Sequence, residues 1–356
     1  MKIMRNVAAI YIVFFVSLLS SSAQDTLNLN KIEKGVDKYL SYFSGENPGA
    51  VVTVIKKENV LFHKAYGQKN IETDTKLEGN ELFNLGELSK SFTAVAIFKL
   101  VEKGKLNLDQ TITSIFPDFP AYGDSIRIQH LLDHKSGLAN FNPQEVKSND
   151  DVYAFLALQN KAIFEPGSKF IYSNSDYPLL VNIIEEISNK SYEEFLIKHV
   201  FRKLKMDHSY FIDEIANKNI AVSHVKKEDR YVAEMPTGII LGDRGIFMNA
   251  TDYVKYDHAL YINKLLDCES LQKIFRVEKL NNKENVSDYT CGWALMAKGG
   301  VRYFWHGGSQ GGYSNLVLHL PDTQTTVLIL TNRNDGYDFL KMAIYIAKLF
   351  DKDLKL

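Results

Sequence analysis

Strand-patterned segments stand at both ends of the chain and enclose a helical middle, and this arrangement constrains the fold more than any other feature. Residues 50–56 and 60–66 are β-rich runs joined by the polar turn Lys57-Glu58-Asn59, which reads as a hairpin. Near the other end, residues 289–296, 301–305, 314–320 and 325–331 read as strands. Helical periodicity marks residues 29–42. It returns at 92–103, with apolar residues at 92, 95, 96 and 100 and Gly104 as the terminating residue. Residues 128–199 are mostly helical, with polar breaks at 143–151 and 165–167; a further helix is expected at 251–266, capped by Asn249 or Thr251. Residues 337–350 form a last helix. A sheet drawn from both ends of a chain requires the helical region to be an insertion between its halves.

At 356 residues the chain exceeds what one small core organises, so one large domain or two interlocked ones are expected. Its 42 basic and 43 acidic residues leave a formal charge of -1, which gives no electrostatic case for nucleic acid or an anionic membrane surface. Cys268 and Cys291 are the only cysteines. One disulfide or two small buried thiols both fit, and the lack of any cysteine framework favours the thiols. No Cys/His grouping has the spacing of a zinc site, and neither a metal nor a cofactor is expected.

The N-terminus differs in kind. Lys2 and Arg5 precede an apolar or small run from Val7 to Leu19, followed by Ser20-Ser21-Ser22-Ala23 and Gln24. This reads as a signal peptide, residues 1–23, and predicts an exported chain, periplasmic or secreted, that begins near Gln24. The run is shorter than the roughly 20 residues of a membrane span, so cleavage is expected rather than anchoring, and no membrane span is expected afterwards.

Five short patterns carry the chemistry. The first is Gly86-Glu87-Leu88-Ser89-Lys90-Ser91-Phe92-Thr93-Ala94. The second is His130-Leu131-Leu132-Asp133-His134-Lys135-Ser136-Gly137-Leu138. The third is Pro166-Gly167 followed by Tyr172-Ser173-Asn174. The fourth is Gly242-Asp243-Arg244-Gly245, and the fifth His306-Gly307-Gly308-Ser309. Each is weak alone. In this order and spacing they resemble the serine β-lactamase and penicillin-binding-protein family, including class C β-lactamases, D-alanyl-D-alanine carboxypeptidases and esterase relatives.

The resemblance spans about Leu29 to Phe350. It implies an α/β fold, β-lactamase/transpeptidase-like: an antiparallel sheet flanked by helices, with an inserted all-helical domain. The α/β part is expected at about 27–120 and 235–356, and the insertion at about 121–234. The family's Ser-x-x-Lys nucleophile falls on Glu87, with Lys90 as its lysine. The resemblance makes Tyr172, Asn174 and His306 the other catalytic-position residues, and places Gly308, Ser309 and Arg244 around a ligand. The backbone N–H groups of 87 and 309 would form the oxyanion hole. Arg244 and Asp176 stand where that family commonly has glycine.

Glutamate at position 87 changes what this constellation can do. Positions 87 and 90 share a helix face, so Lys90 is expected to stabilise the Glu87 carboxylate and to be held as an ammonium. A carboxylate attacking an ester or amide would give a mixed anhydride, itself highly activated, and an anion beside the oxyanion hole opposes a developing oxyanion. Ser89 points away and Ser91 lies a turn deeper, so neither replaces a nucleophile. Three functions therefore stand open. The first is a binding protein that holds a small-molecule, peptide- or peptidoglycan-like ligand without acylation. The second is an enzyme of changed mechanism with Glu87 as acid or base. The third is a serine hydrolase using another nucleophile. The sequence does not specify an oligomeric state. His130 and His134 are expected to brace a helix and loop, and His63 and His319 to be structural or exposed.

Overall fold

The computed structural model describes residues 29–236, 240–275 and 286–356. The signal-peptide expectation lies outside these residues. Seven antiparallel strands form the central sheet: β1 (Ala50–Lys56), β2 (Asn59–Tyr66), β3 (Val286–Thr290), β4 (Trp293–Lys298), β5 (Val301–Gln310), β6 (Tyr313–Leu320) and β7 (Thr325–Thr331). Their spatial order is β3-β4-β5-β6-β7-β1-β2, so the N-terminal hairpin joins the C-terminal meander through β1 and β7, with Thr53 opposite Leu328.

Helices cover both faces, which is why β1 and β7 at the centre of the sheet are buried along nearly their whole length rather than on alternate residues. On one face Val52 and Val54 of β1 and Val327 and Ile329 of β7 pack with Val36 of α1 (29–39) and Met342 and Ile346 of the last helix. The intervening residues, Val51, Leu328 and Leu330, point into the larger core with Phe92 and Leu100 of α2 (Ser89–Glu102). Strand period two thus sorts one sequence run into two cores. In that larger core α2 packs against α4 (Asp176–Ser188), and α4 against α3 (Asn149–Ala157). Two later helices, α5 (Ala250–Tyr261) and α6 (Phe339–Phe350), are each started by a side-chain cap: Asn249 Oδ1 accepts from the N–H of Asp252, and Asp338 Oδ1 from that of Lys341.

The structure departs from the sequence expectation in several places. The run 289–296 is not one strand: Cys291 and Gly292, both at positive φ, turn the chain between β3 and β4. β5 does not end at Trp305 but runs through the glycines to Gln310. Strands Ser209–Phe211, His224–Lys227 and Arg230–Ala233 lie within the segment expected to be helical, the first pairing with Ile246–Met248. Cys268 is exposed and Cys291 buried, and they are not joined. Among the described residues no helix is long and apolar enough to cross a membrane.

Candidate functional site

The site forms where the start of α2 meets β5. Gly86–Leu88 is a single 3₁₀ turn that leads directly into α2. Gly86 sits at φ +55, and a Cβ there would lie 2.6 Å from the backbone N of Ser309. On the other side, a Cβ on Gly308 would lie 2.0 Å from the carbonyl oxygen of Leu85. The two glycines allow the turn and the strand to approach backbone to backbone, and this contact presents Glu87 to Ser309.

β5 is open on one edge here. Its ladder with β4 ends at the Ala294–Trp305 pair, whereas among the described residues His306 to Gln310 pair only with β6. A cleft of about 590 Å³ lies along this stretch, lined by Glu87, Tyr172, Tyr289, the β5 residues Trp305 to Ser309, part of β6, and Tyr337 and Asp338 before α6.

Glu87 is placed otherwise than the helix-face argument predicts. Its Oε2 accepts a hydrogen bond from the Ser309 N–H at 2.6 Å. Its Oε1 lies 3.6 Å from a guanidinium nitrogen of Arg244. No ion pair forms between Glu87 and Lys90; the lysine Nζ instead lies 3.8 Å from Asp243 Oδ2. Position 87 precedes the regular helix, and its side chain turns toward the strand.

Lys90 is fully buried, with no hydrogen-bond partner for Nζ. The amine sits over the rings of Tyr172 and Tyr177, 5.0 and 5.4 Å from their centroids. Burial pushes its pKa down, against the opposing pull of Asp243 and Glu87. The shift runs opposite to the stabilised ammonium expected from the sequence: desolvation outweighs the nearby carboxylates. Arg244 takes the partner that the lysine lacks, bonding Asp243 Oδ2 through Nε at 2.9 Å and through its terminal nitrogen at 2.8 Å. Burial works against its charge, but Asp243 and Glu87 more than offset this, and its pKa is raised.

His306 and Tyr172 both line the cleft. The His306 Nε2 lies 3.1 Å from the Tyr289 hydroxyl, and burial, with Lys90 adding to it, pushes its pKa down to about 3. The Tyr172 phenol is raised by burial and by the Glu87 charge. Asn174 is half-buried, does not line the cleft, and is held through its backbone N–H to Asn140 Oδ1. Ser89 is fully buried, and the Ser91 hydroxyl donates to the Leu88 carbonyl, so neither presents a nucleophile.

His134 braces the site from beneath. Its Nδ1 is 2.8 Å from Asp176 Oδ2, and the Ser136 hydroxyl donates to the other oxygen of that carboxylate. Its ring packs 4.4 Å from that of Tyr172. Burial raises Asp176 and lowers His134, which favours a neutral pair over an ion pair. His319 is buried against Asp257 and Thr326, and the exposed His63 bonds Thr53. Sequence reasoning missed Tyr289, Trp305, Tyr337 and Asp338; only Trp305 lies next to a recognised pattern, and the other three carry no local signal. Among the described residues no group of His, Cys, Asp or Glu could hold a metal ion.

Residues 29–350 match the family described as Beta-lactamase. The chain is 30% identical over 327 residues to penicillin-binding protein 4* of Bacillus subtilis, covering 83% of this chain and 71% of that one. It is 24% identical over 310 residues to protein flp of Staphylococcus aureus, covering 82% of this chain and 61% of flp, less than two thirds of that protein's length. Among solved structures, the octameric penicillin-binding protein homologue from Pyrococcus abyssi superposes with a TM-score of 0.78 at 27% identity, over 90% of this chain and 77% of that one. The D-amino acid amidase from Ochrobactrum anthropi SV3 gives 0.77 at 20% identity, over 91% and 99%, a likeness of fold alone. The chain therefore belongs to the β-lactamase family and has the fold of the penicillin-binding protein homologues.

Proposed function

We propose that this protein is a non-acylating member of the family, in which Glu87 occupies the nucleophile position and the cleft binds a peptide- or peptidoglycan-like ligand. One observation carries the reading: the Glu87 carboxylate accepts the Ser309 N–H at 2.6 Å. That N–H is one of two donors that an acyl-transfer intermediate would need, and here it is already satisfied by an anion. Forming an oxyanion at the same donor would bring two negative charges together. The open edge of β5 supports the ligand class. An extended peptide adds to such an edge through main-chain hydrogen bonds, with side chains taken up by flanking pockets. The aromatic walls suit the apolar faces of peptides and sugars. The same proposal places the protein outside the cytoplasm after removal of residues 1–23, as the N-terminal pattern suggests.

Calorimetry and thermal-shift titration with peptidoglycan fragments and short acyl peptides test the reading. Saturable binding with no product by mass spectrometry is expected. Product that disappears in Glu87→Gln would replace it with an enzyme that uses Glu87 as acid or base.

A further inference from the structure

The charges around the cleft are one-sided. Two charged side chains line it, and both are carboxylates, Glu87 and Asp338; no Lys or Arg does so among the described residues. His306, with a pKa near 3, adds no charge at neutral pH. The nearby cations lie mainly against Asp243. Arg244 holds Asp243 by two short contacts and touches Glu87 only at 3.6 Å. Lys90 is sealed beneath Tyr172 and forms no ion pair with Glu87. The Glu87 side chain keeps 20% of its surface exposed toward the cleft. Tyr172, Tyr289, Trp305 and Tyr337 supply ring surface around these two anions.

From this arrangement we propose that the cleft selects a ligand bearing a primary ammonium group on an apolar or aromatic body, the ammonium pairing with Glu87. The proposal rests on the binding-protein reading and adds the ligand's charge. Ring faces attract cations through their quadrupoles, and a carboxylate set among them gives the ammonium a hydrogen-bond acceptor and a counter-charge. A ligand whose recognition depends on its own carboxylate meets the opposite field: Glu87 already fills the Ser309 donor, and among the described residues no Lys or Arg lines the cleft.

Three probes of one shape decide the matter: phenethylamine, N-acetylphenethylamine and 3-phenylpropionate, which are cationic, neutral and anionic. Binding is read from the fluorescence of Trp305 in the cleft, with Trp293 buried in the core as a constant background. Phenethylamine is expected to bind at least about tenfold more tightly than the neutral probe, the ratio equivalent to one charge-assisted contact. The anion is expected to bind weakest. The preference should disappear in Glu87→Gln, with Tm confirming that the variant is folded, and should shrink as salt is raised. Asp338→Asn should reduce it without abolishing it.

Equal or tighter binding of the neutral or anionic probe overturns the proposal, as does a preference that survives Glu87→Gln. Failure of all three probes to bind overturns it too. If peptidoglycan fragments still bind in that case, the binding-protein reading stands and only the ammonium preference is lost.

Discussion

Replacing Lys90 by methionine is expected to stabilise the protein. The amine is fully buried, makes no hydrogen bond, and has its closest counter-charge at 3.8 Å. Methionine is nearly isosteric and needs no solvation. Its removal of the lysine does not strand Asp243, because Arg244 bonds that carboxylate at 2.8 and 2.9 Å. Replacement of a whole buried ion pair or triad by hydrophobes of similar volume gains up to about 4 kcal/mol, and here only the lysine of the Lys90–Asp243–Arg244 group is removed. The residual attraction of Asp243 for Lys90 puts the expected gain at about 1–2 kcal/mol. At roughly 2 °C per kcal/mol for a chain of this size, Tm should rise by roughly 2–4 °C.

The pH dependence carries the sharper test of the same idea. The folded pKa of Lys90 lies below its ordinary value of 10.5, so between the two the unfolded chain holds more protons and native stability rises with pH. Below the folded value the lysine is charged in both states and its full desolvation cost is present. The advantage of Lys90→Met should therefore be larger at lower pH and shrink as pH rises toward 10.5. Thermal unfolding followed by circular dichroism at pH 7 and pH 9.5 measures both effects. A methionine variant that is less stable at pH 7, by an amount that does not change with pH, would refute the reasoning and show that the ammonium is paired favourably.

Arg244→Met should cost about 3 kcal/mol, because it leaves Asp243 buried with only the distant Lys90 as partner; chemical denaturation checks this. In that background Lys90→Met should turn from stabilising to destabilising, a non-additivity that a double-mutant cycle reads directly. The native protein should react with a thiol reagent at Cys268 alone, and Cys291 should join only on unfolding; one fast equivalent followed by a second in denaturant is the expected titration. N-terminal mass spectrometry of exported material should find a terminus near Gln24, and an intact Met1 there would count against cleavage.

The ends of the molecule were more legible than its centre. The runs at 50–56 and 325–331 read directly as strands because both faces of the sheet are covered there and nearly every residue is buried. The turn at Cys291-Gly292 was hidden, since a cysteine at positive φ carries no signal that distinguishes it from a strand residue. Five short patterns located the site, but not its pairing. Helical spacing put Glu87 and Lys90 on one face, yet the chain at 87 is still in a 3₁₀ turn and its carboxylate is captured by a strand more than two hundred residues away. Lys90 meets Asp243 across about 150 residues. Asp176 stood out as a departure from the family pattern with no evident role, because His134 and Ser136 reach it only once the loop folds over α4. Such pairings depend on tertiary approach and leave no local trace.

Intact mass after incubation with a penicillin and with a p-nitrophenyl ester tests the central claim most directly. The wild-type protein should keep its unmodified mass, while Glu87→Ser, folded to the same degree, should gain an acyl adduct, because it restores a hydroxyl at position 87 and frees the Ser309 N–H. A stable adduct on the wild-type chain, mapped to any serine, would contradict the account.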